Sequence, residues 1–130
     1  MQKEAIRKLM KRKLRKLIRN TDMLLFFKTP SSPAEAFEIS ELRLNKLKFQ
    51  LQLNSLLLEE TKDGEERKKL EEERKKLQNM LADELRNGIE ILDILIPDFK
   101  QLGLNDKADE LLVLRAARES ELLELTGASS

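Results

Sequence analysis

The side chains in this 130-residue sequence that could do chemistry are carboxylates and cations, and almost nothing else. There is no Cys and no His. A thiolate nucleophile, a Cys-ligated metal site and the commonest general base are therefore all missing. Acid–base catalysis by paired carboxylates needs two acids converging in a closed pocket. The acids here lie mainly on polar helix faces. Glu90 and Asp93 flank an apolar stripe but have no partner legible in the sequence. Di-metal bundles use Glu-x-x-His, which this chain cannot supply. No phosphate loop, dinucleotide fingerprint or nucleophile elbow occurs. The expectation is a non-enzyme with no catalytic residue, cofactor or metal. The absence of Trp and Tyr also removes the usual interface anchors and stacking platforms for single-stranded nucleic acid.

Two clusters remain that could bind something. The first is basic. Residues 1–20 hold nine Lys/Arg against one Glu, a net of +8, while the remaining 110 carry a net of −7. Lys8, Lys11, Arg12, Arg15, Lys16 and Arg19 fill one side of the first helix. Such a face could lie on an anionic membrane, follow a nucleic-acid phosphate backbone or meet an acidic partner. In the plainer reading the helix packs by its apolar stripe and the cations are solvated or paired with neighbouring acids. A cleavable mitochondrial presequence would also be rich in Arg and poor in acids, but this segment has no Ser and its stripe belongs to the bundle.

The second cluster is apolar and lies on the second helix. The run "LRLNKLKFQLQLNSLLL" alternates as a strand would, but it sits in about thirty residues free of Gly and Pro, so it is read as helix. At about 100° per residue its apolar positions fall on two opposite sides. Ile39, Leu42, Phe49, Leu53, Leu56 and Leu57 share one, and Phe37, Leu44, Leu47, Leu51 and Leu58 the other. One side can face a core, and the other needs a second cover. That cover is either a partner or second copy, or another helix of the same chain. Phe37, Leu44, Leu47, Leu51 and Leu58 are the candidate protein-binding face.

The elements that position these clusters are all helical. Helix 1 is expected over 3–28, with Ile6, Leu9, Met10, Leu14, Leu17, Ile18, Leu24 and Leu25 as its buried stripe and Phe26 and Phe27 closing it. Helix 2 spans 33–61 and opens with Ser32 as N-cap, Pro33 in the first turn and Glu35 completing a capping box. Lys62-Asp63-Gly64 is a turn.

Helix 3 spans 65–102. Its duplicated heptad, "ERKKLEE" then "ERKKLQN", makes a water-facing tip held by pairs such as Glu65–Lys69, Glu71–Lys75 and Glu72–Lys76. The stripe Leu81, Leu85, Gly88, Leu92, Leu95, Phe99 and Leu102 continues through Pro97, which predicts a kink there. Gly88 is expected to let a bulky side chain such as Phe26, Phe27 or Phe49 pack close. Gly103 with Leu104 is a C-terminal stop. Helix 4 spans 106–125, capped by Asn105 or Asp106, with Ala108, Leu111, Leu112, Leu122 and Leu123 buried. The closing "TGASS" is expected to fray.

Links of two to five residues force neighbouring helices antiparallel. The fold class is therefore all-α, an antiparallel up-down four-helix bundle forming a single domain over 1–130. No apolar run reaches membrane-spanning length, and the charged start does not look like a secretory signal. Nothing in the sequence assigns a compartment.

Three resemblances can be placed on these residues. "LADELRNGIEILD" is similar to a BH3 helix, but its Gly88-Ile89-Glu90 is out of register with that motif. "EILDILIPDFKQ" resembles the end of the second helix of BAG co-chaperone domains over about a tenth of the chain. The helix that follows, beginning Asn105-Asp106-Lys107-Ala108-Asp109, lacks the basic character that family uses on its partner. The whole chain resembles de novo designed helical bundles as a class. The repeated "ERKKL" heptad, Ser32-Pro33-x-Glu35, the Gly103-Leu104-Asn105-Asp106 loop, the short links and the missing Cys and His carry that resemblance. It implies a stable non-catalytic scaffold or protein-binding module, with helix 2 as the contact face. The alternative is a natural peripheral protein that uses basic helix 1 on an anionic membrane or nucleic acid.

Overall fold

The structure is a computed structural model describing residues 2–127. Residues 128–130 of the "TGASS" tail lie outside the described residues. Four helices make up the fold: α1 (Gln2–Phe26), α2 (Pro33–Glu60), α3 (Gly64–Gln101) and α4 (Asn105–Thr126). No strand occurs among the described residues. The alternating run in α2 is helix from end to end, and α3 continues unbroken through Pro97. The chain is the all-α, four-helix bundle that the short links require. α1 and α2 run antiparallel: Arg7 and Lys11 near the start of α1 pair with Glu59 and Glu60 at the end of α2, and Asp22 near the end of α1 pairs with Lys46, farther back on α2.

The helix ends show why the chain turns where it does. Ser32 Oγ accepts the Glu35 N–H at 3.2 Å. The Glu35 carboxylate reaches back to the Ser31 N–H and hydroxyl, at 3.0 and 2.8 Å, one residue earlier than a standard box. At the α2–α3 turn, Arg67 donates to the carbonyls of Leu58 and Thr61, closing the end of α2. The tip of α3 carries an Arg67–Glu71 pair in place of the expected Glu/Lys pairs. At the end of α3 the Gly103 N–H bonds Lys100 O, and the Leu104 N–H bonds Phe99 O. With Gly103 at φ +76° this is a Schellman motif. Helix α4 departs from expectation. Its N-cap is Leu104, and neither Asn105 nor Asp106 caps it with a side chain.

The helices form two compact units. The first comprises Met1–Phe27 and Leu42–Leu81, with Leu14, Leu44, Leu47, Leu77 and Leu81 buried. Asn54 is buried among them and donates to the Leu70 carbonyl of α3 at 2.9 Å. Its Oδ1 is buried without a partner. Thr21 is also buried, its hydroxyl donating to Leu17 O.

The second unit comprises Lys28–Glu41 and Ala82–Ser130. Leu92, Leu95, Ile96, Ala108 and Leu111 form its cluster, with Phe37, Ile91, Phe99 and Leu114 packed against it. Buried Ser40 donates to the Glu84 carboxylate, which also accepts from Asn87. Arg118 of α4 clamps Glu41 of α2 and Glu121, both at 2.7 Å. The expected buried face of α4 is corrected: Ala108 and Leu111 are buried, but Leu112 and Leu123 are exposed. Leu122 is half-buried, as are Leu114, Arg115 and Arg118. Leu102 is likewise exposed, because α3 ends at Gln101.

Two predictions follow from these contacts. Gly88 is approached by Ser40 Oγ and Phe37 Cε1, not by the phenylalanines first considered, and a Cβ there would meet them at 3.5 and 4.0 Å. Those are ordinary contacts, so Gly88→Ala should gain most of the helix-propensity difference, about 1 kcal/mol, in urea denaturation. The second concerns pH. The Ser31 hydroxyl, and then its N–H, holds Glu35 below the usual carboxylate range. A lowered folded pKa stabilises fully above the unfolded value, about pH 4.3, and that share is lost as pH falls through the folded value. Acidification from about pH 7 to 3 should therefore cost wild type more than Glu35→Gln, compared by urea midpoints.

Candidate functional site

The two clusters picked out by the sequence fare differently. The apolar face of α2 is covered within the chain. Leu44 and Leu47 are only 2% and 6% exposed, and Phe37, Leu51 and Leu58 are half-buried. Of the two covers open to this face, the structure supplies neighbouring helices for Leu44 and Leu47 and leaves Phe37, Leu51 and Leu58 partly exposed. Residues 42–60 of α2 pack with α1 and α3 in the first unit, and residues 33–41 pack with α3 and α4 in the second. A helix apolar on two sides is satisfied by two neighbours.

Helix α1 is the opposite case, because its stripe is mostly not buried. Only Leu14 is fully covered, with Leu17, Ile18 and Leu25 half-covered. Ile6, Leu9, Met10 and Leu24 are exposed, as is Met23. The reason is geometric. The eight stripe positions span about 180° of the helix, whereas the side that packs is a narrower edge centred on Leu14 and Thr21. Phe26 and Phe27, at 82% and 79%, are the two most exposed large apolar residues. They stack edge-on against each other with ring centroids 5.1 Å apart. Their sequence position at the end of the stripe gave no hint of this.

Beside this edge lies the basic face. Arg7 pairs with Glu59 at 3.3 Å and Lys11 with Glu60 at 2.6 Å. Among the described residues no carboxylate lies within 4.0 Å of Lys8, Arg12, Arg15, Lys16 or Arg19. Lys8, Lys11, Arg12, Arg15 and Arg19 line a cleft of about 790 Å³ whose far wall is Glu59, Glu60 and Lys62. Arg15 and Arg19 also line a second cavity of about 560 Å³, with Ile18, Leu53 and Leu57. Lys16 lines neither.

The remaining chemistry is structural. Asp93, unpartnered in the sequence reading, is held by Arg115 at 2.6 Å. Arg115 also bonds Glu119. No grouping of three or more potential metal ligands occurs among the described residues. No described helix is long and apolar enough to cross a membrane. Comparison with protein-family models, curated proteins and solved structures finds no match. The class the fold defines is an all-α four-helix bundle.

The basic surface of α1 is costly to the fold. Lys8–Arg12, Arg12–Lys16, Lys11–Arg15 and Arg15–Arg19 are like charges four residues apart, each destabilising by about 0.2–0.5 kcal/mol. Arg12→Glu reverses two of these pairs. It should raise stability at low salt by about 0.5–1 kcal/mol in urea denaturation, and the gain should shrink in about 0.5 M salt as the charges are screened.

Proposed function

We propose that the protein is a non-catalytic helical module that binds anionic membrane surfaces through α1. One observation carries the reading: α1 leaves an apolar edge exposed directly beside cations that no carboxylate neutralises. At about 100° per residue, Ile6, Leu9, Met10, Lys13, Lys16, Met23 and Leu24 share an arc of about 140°. Lys8, Arg12, Arg15 and Arg19 flank it. Apolar side chains can enter the headgroup boundary while flanking Lys and Arg meet lipid phosphates, with long stems reaching past the apolar edge. Exposed Phe26, the last residue of α1, and Phe27 after it add further apolar surface at the C-terminal end of the helix.

Nucleic-acid phosphate would use the cations but has no use for the exposed Leu, Met and Phe side chains. That difference favours lipid. Surface binding of this kind gains from both terms and weakens with salt.

Vesicle co-sedimentation tests the proposal. The protein should pellet with phosphatidylcholine vesicles containing phosphatidylserine, remain free of pure phosphatidylcholine, and be released as salt rises. Replacing Lys8, Arg12, Arg15, Lys16 and Arg19 by Gln should abolish pelleting. Phe26→Ser with Phe27→Ser should weaken it at least about tenfold, since each buried Phe contributes about 1.5–3 kcal/mol. Binding to duplex nucleic acid that is unchanged by the Phe substitutions, without vesicle binding, would overturn it. So would binding to neither, which would leave a scaffold or protein-binding role.

A further inference from the structure

The second cavity differs in character from the basic cleft. Its apolar wall is built by Ile18 of α1 with Leu53 and Leu57 of α2, all half-buried and all in the first compact unit. Gln50, Asn54 and, from α3, the single carboxylate Glu73 complete it. Its volume, about 560 Å³, falls within the range of about 300–1,000 Å³ of small-molecule sites.

What selects an occupant is the pair of cations it shares. Arg15 and Arg19 line both this groove and the basic cleft. Neither guanidinium has a carboxylate within ion-pair distance among the described residues, Glu73 included. An apolar trough lined also by two arginines without a carboxylate partner matches a ligand with a hydrocarbon chain and one anionic head. Guanidinium is suited to the head because it can grip a carboxylate or phosphate with two parallel N–H donors.

We propose that this groove binds one molecule of a single-chain anionic amphiphile, its chain along Ile18, Leu53 and Leu57 and its head on Arg15 and Arg19. The inference rests on the lipid-surface reading only for the chemical class of ligand. It uses the side of α1 that carries Arg15, Ile18 and Arg19, whereas Phe26 and Phe27 take no part.

The test is calorimetric titration with decanoate, decyl phosphate and decanol, each kept below its micellar concentration. One decanoate or decyl phosphate should bind per chain, at least tenfold tighter than decanol, and the tighter of the two identifies the preferred head. Arg15→Gln with Arg19→Gln should erase the preference over decanol. These side chains are exposed and unpaired, so the fold should survive, as helicity would verify. Intermolecular nuclear Overhauser contacts should join the chain to the methyls of Ile18, Leu53 and Leu57 in the wild-type protein. Equal affinity for decanol and decanoate, or contacts to other methyls instead, would overturn the proposal. The Phe26→Ser/Phe27→Ser variant separates the two readings. It should lose vesicles and keep decanoate. Vesicle binding by the wild type without decanoate binding removes the groove alone, and decanoate binding without vesicle binding removes the surface reading alone.

Discussion

A helix that is apolar on two sides cannot face water on either, and α2 is such a helix. Everything else in the fold answers to its coverage. Residues 42–60 carry Leu44 and Leu47 into the core of the first unit, alongside Leu14 of α1 and Leu77 and Leu81 of α3. Residues 33–41 carry Phe37 and Ile39 into the second unit, where α3 and α4 supply Leu92, Leu95, Ala108 and Leu111. Much of the apolar surface on the second side of α2 is thereby covered inside the chain, Leu44 and Leu47 fully and Phe37, Leu51 and Leu58 in part. Burying each such Leu is worth about 1.5–3 kcal/mol, far more than any exposed ion pair on these helices.

Apolar burial is non-directional, so it does not by itself fix how the helices align along their lengths. Polar groups placed among the apolar ones do that. Asn54 reaches the Leu70 carbonyl, Ser40 reaches Glu84, and Arg118 reaches Glu41. Each bond tolerates only one axial register, since a shift by one turn would strand a buried donor or acceptor. Asn54 leaves its Oδ1 unpartnered even so. A buried Asn that costs stability while specifying alignment is a familiar device of packed helices.

The same packing explains why α1 carries the functional argument. It contributes a narrow edge, Leu14 and Thr21, to the first unit and keeps the rest of a wide apolar stripe in solvent. Its cations repel one another along the helix, and among the described residues those in its first half gain two ion pairs to α2. That surface helps neither the core nor the charge balance of its own helix, and it is the surface on which the proposed lipid binding rests.

Local features were legible in the residues alone because local chemistry decides them. Ser32-Pro33-x-Glu35 had to start a helix, and Gly103-Leu104 had to stop one, since only those side chains or that left-handed φ satisfy the orphan backbone groups there. The helicity of the alternating run followed from its length without a breaker. The basic face of α1 and the lack of Cys and His could be read directly. What the sequence could not decide was which of several apolar arcs each helix would bury. α1, α2 and α4 each carry more apolar surface than one contact needs, and hydrophobic periodicity does not rank one edge above another. Only the tertiary structure made that choice: it covered Leu44 and Leu47, left Leu9, Leu24, Leu112 and Leu123 in solvent, and put Arg15 and Arg19 in the lining of an apolar groove. The physical reason is that burial is a property of pairs of helices in contact, and those contacts are settled by competition among all the faces at once.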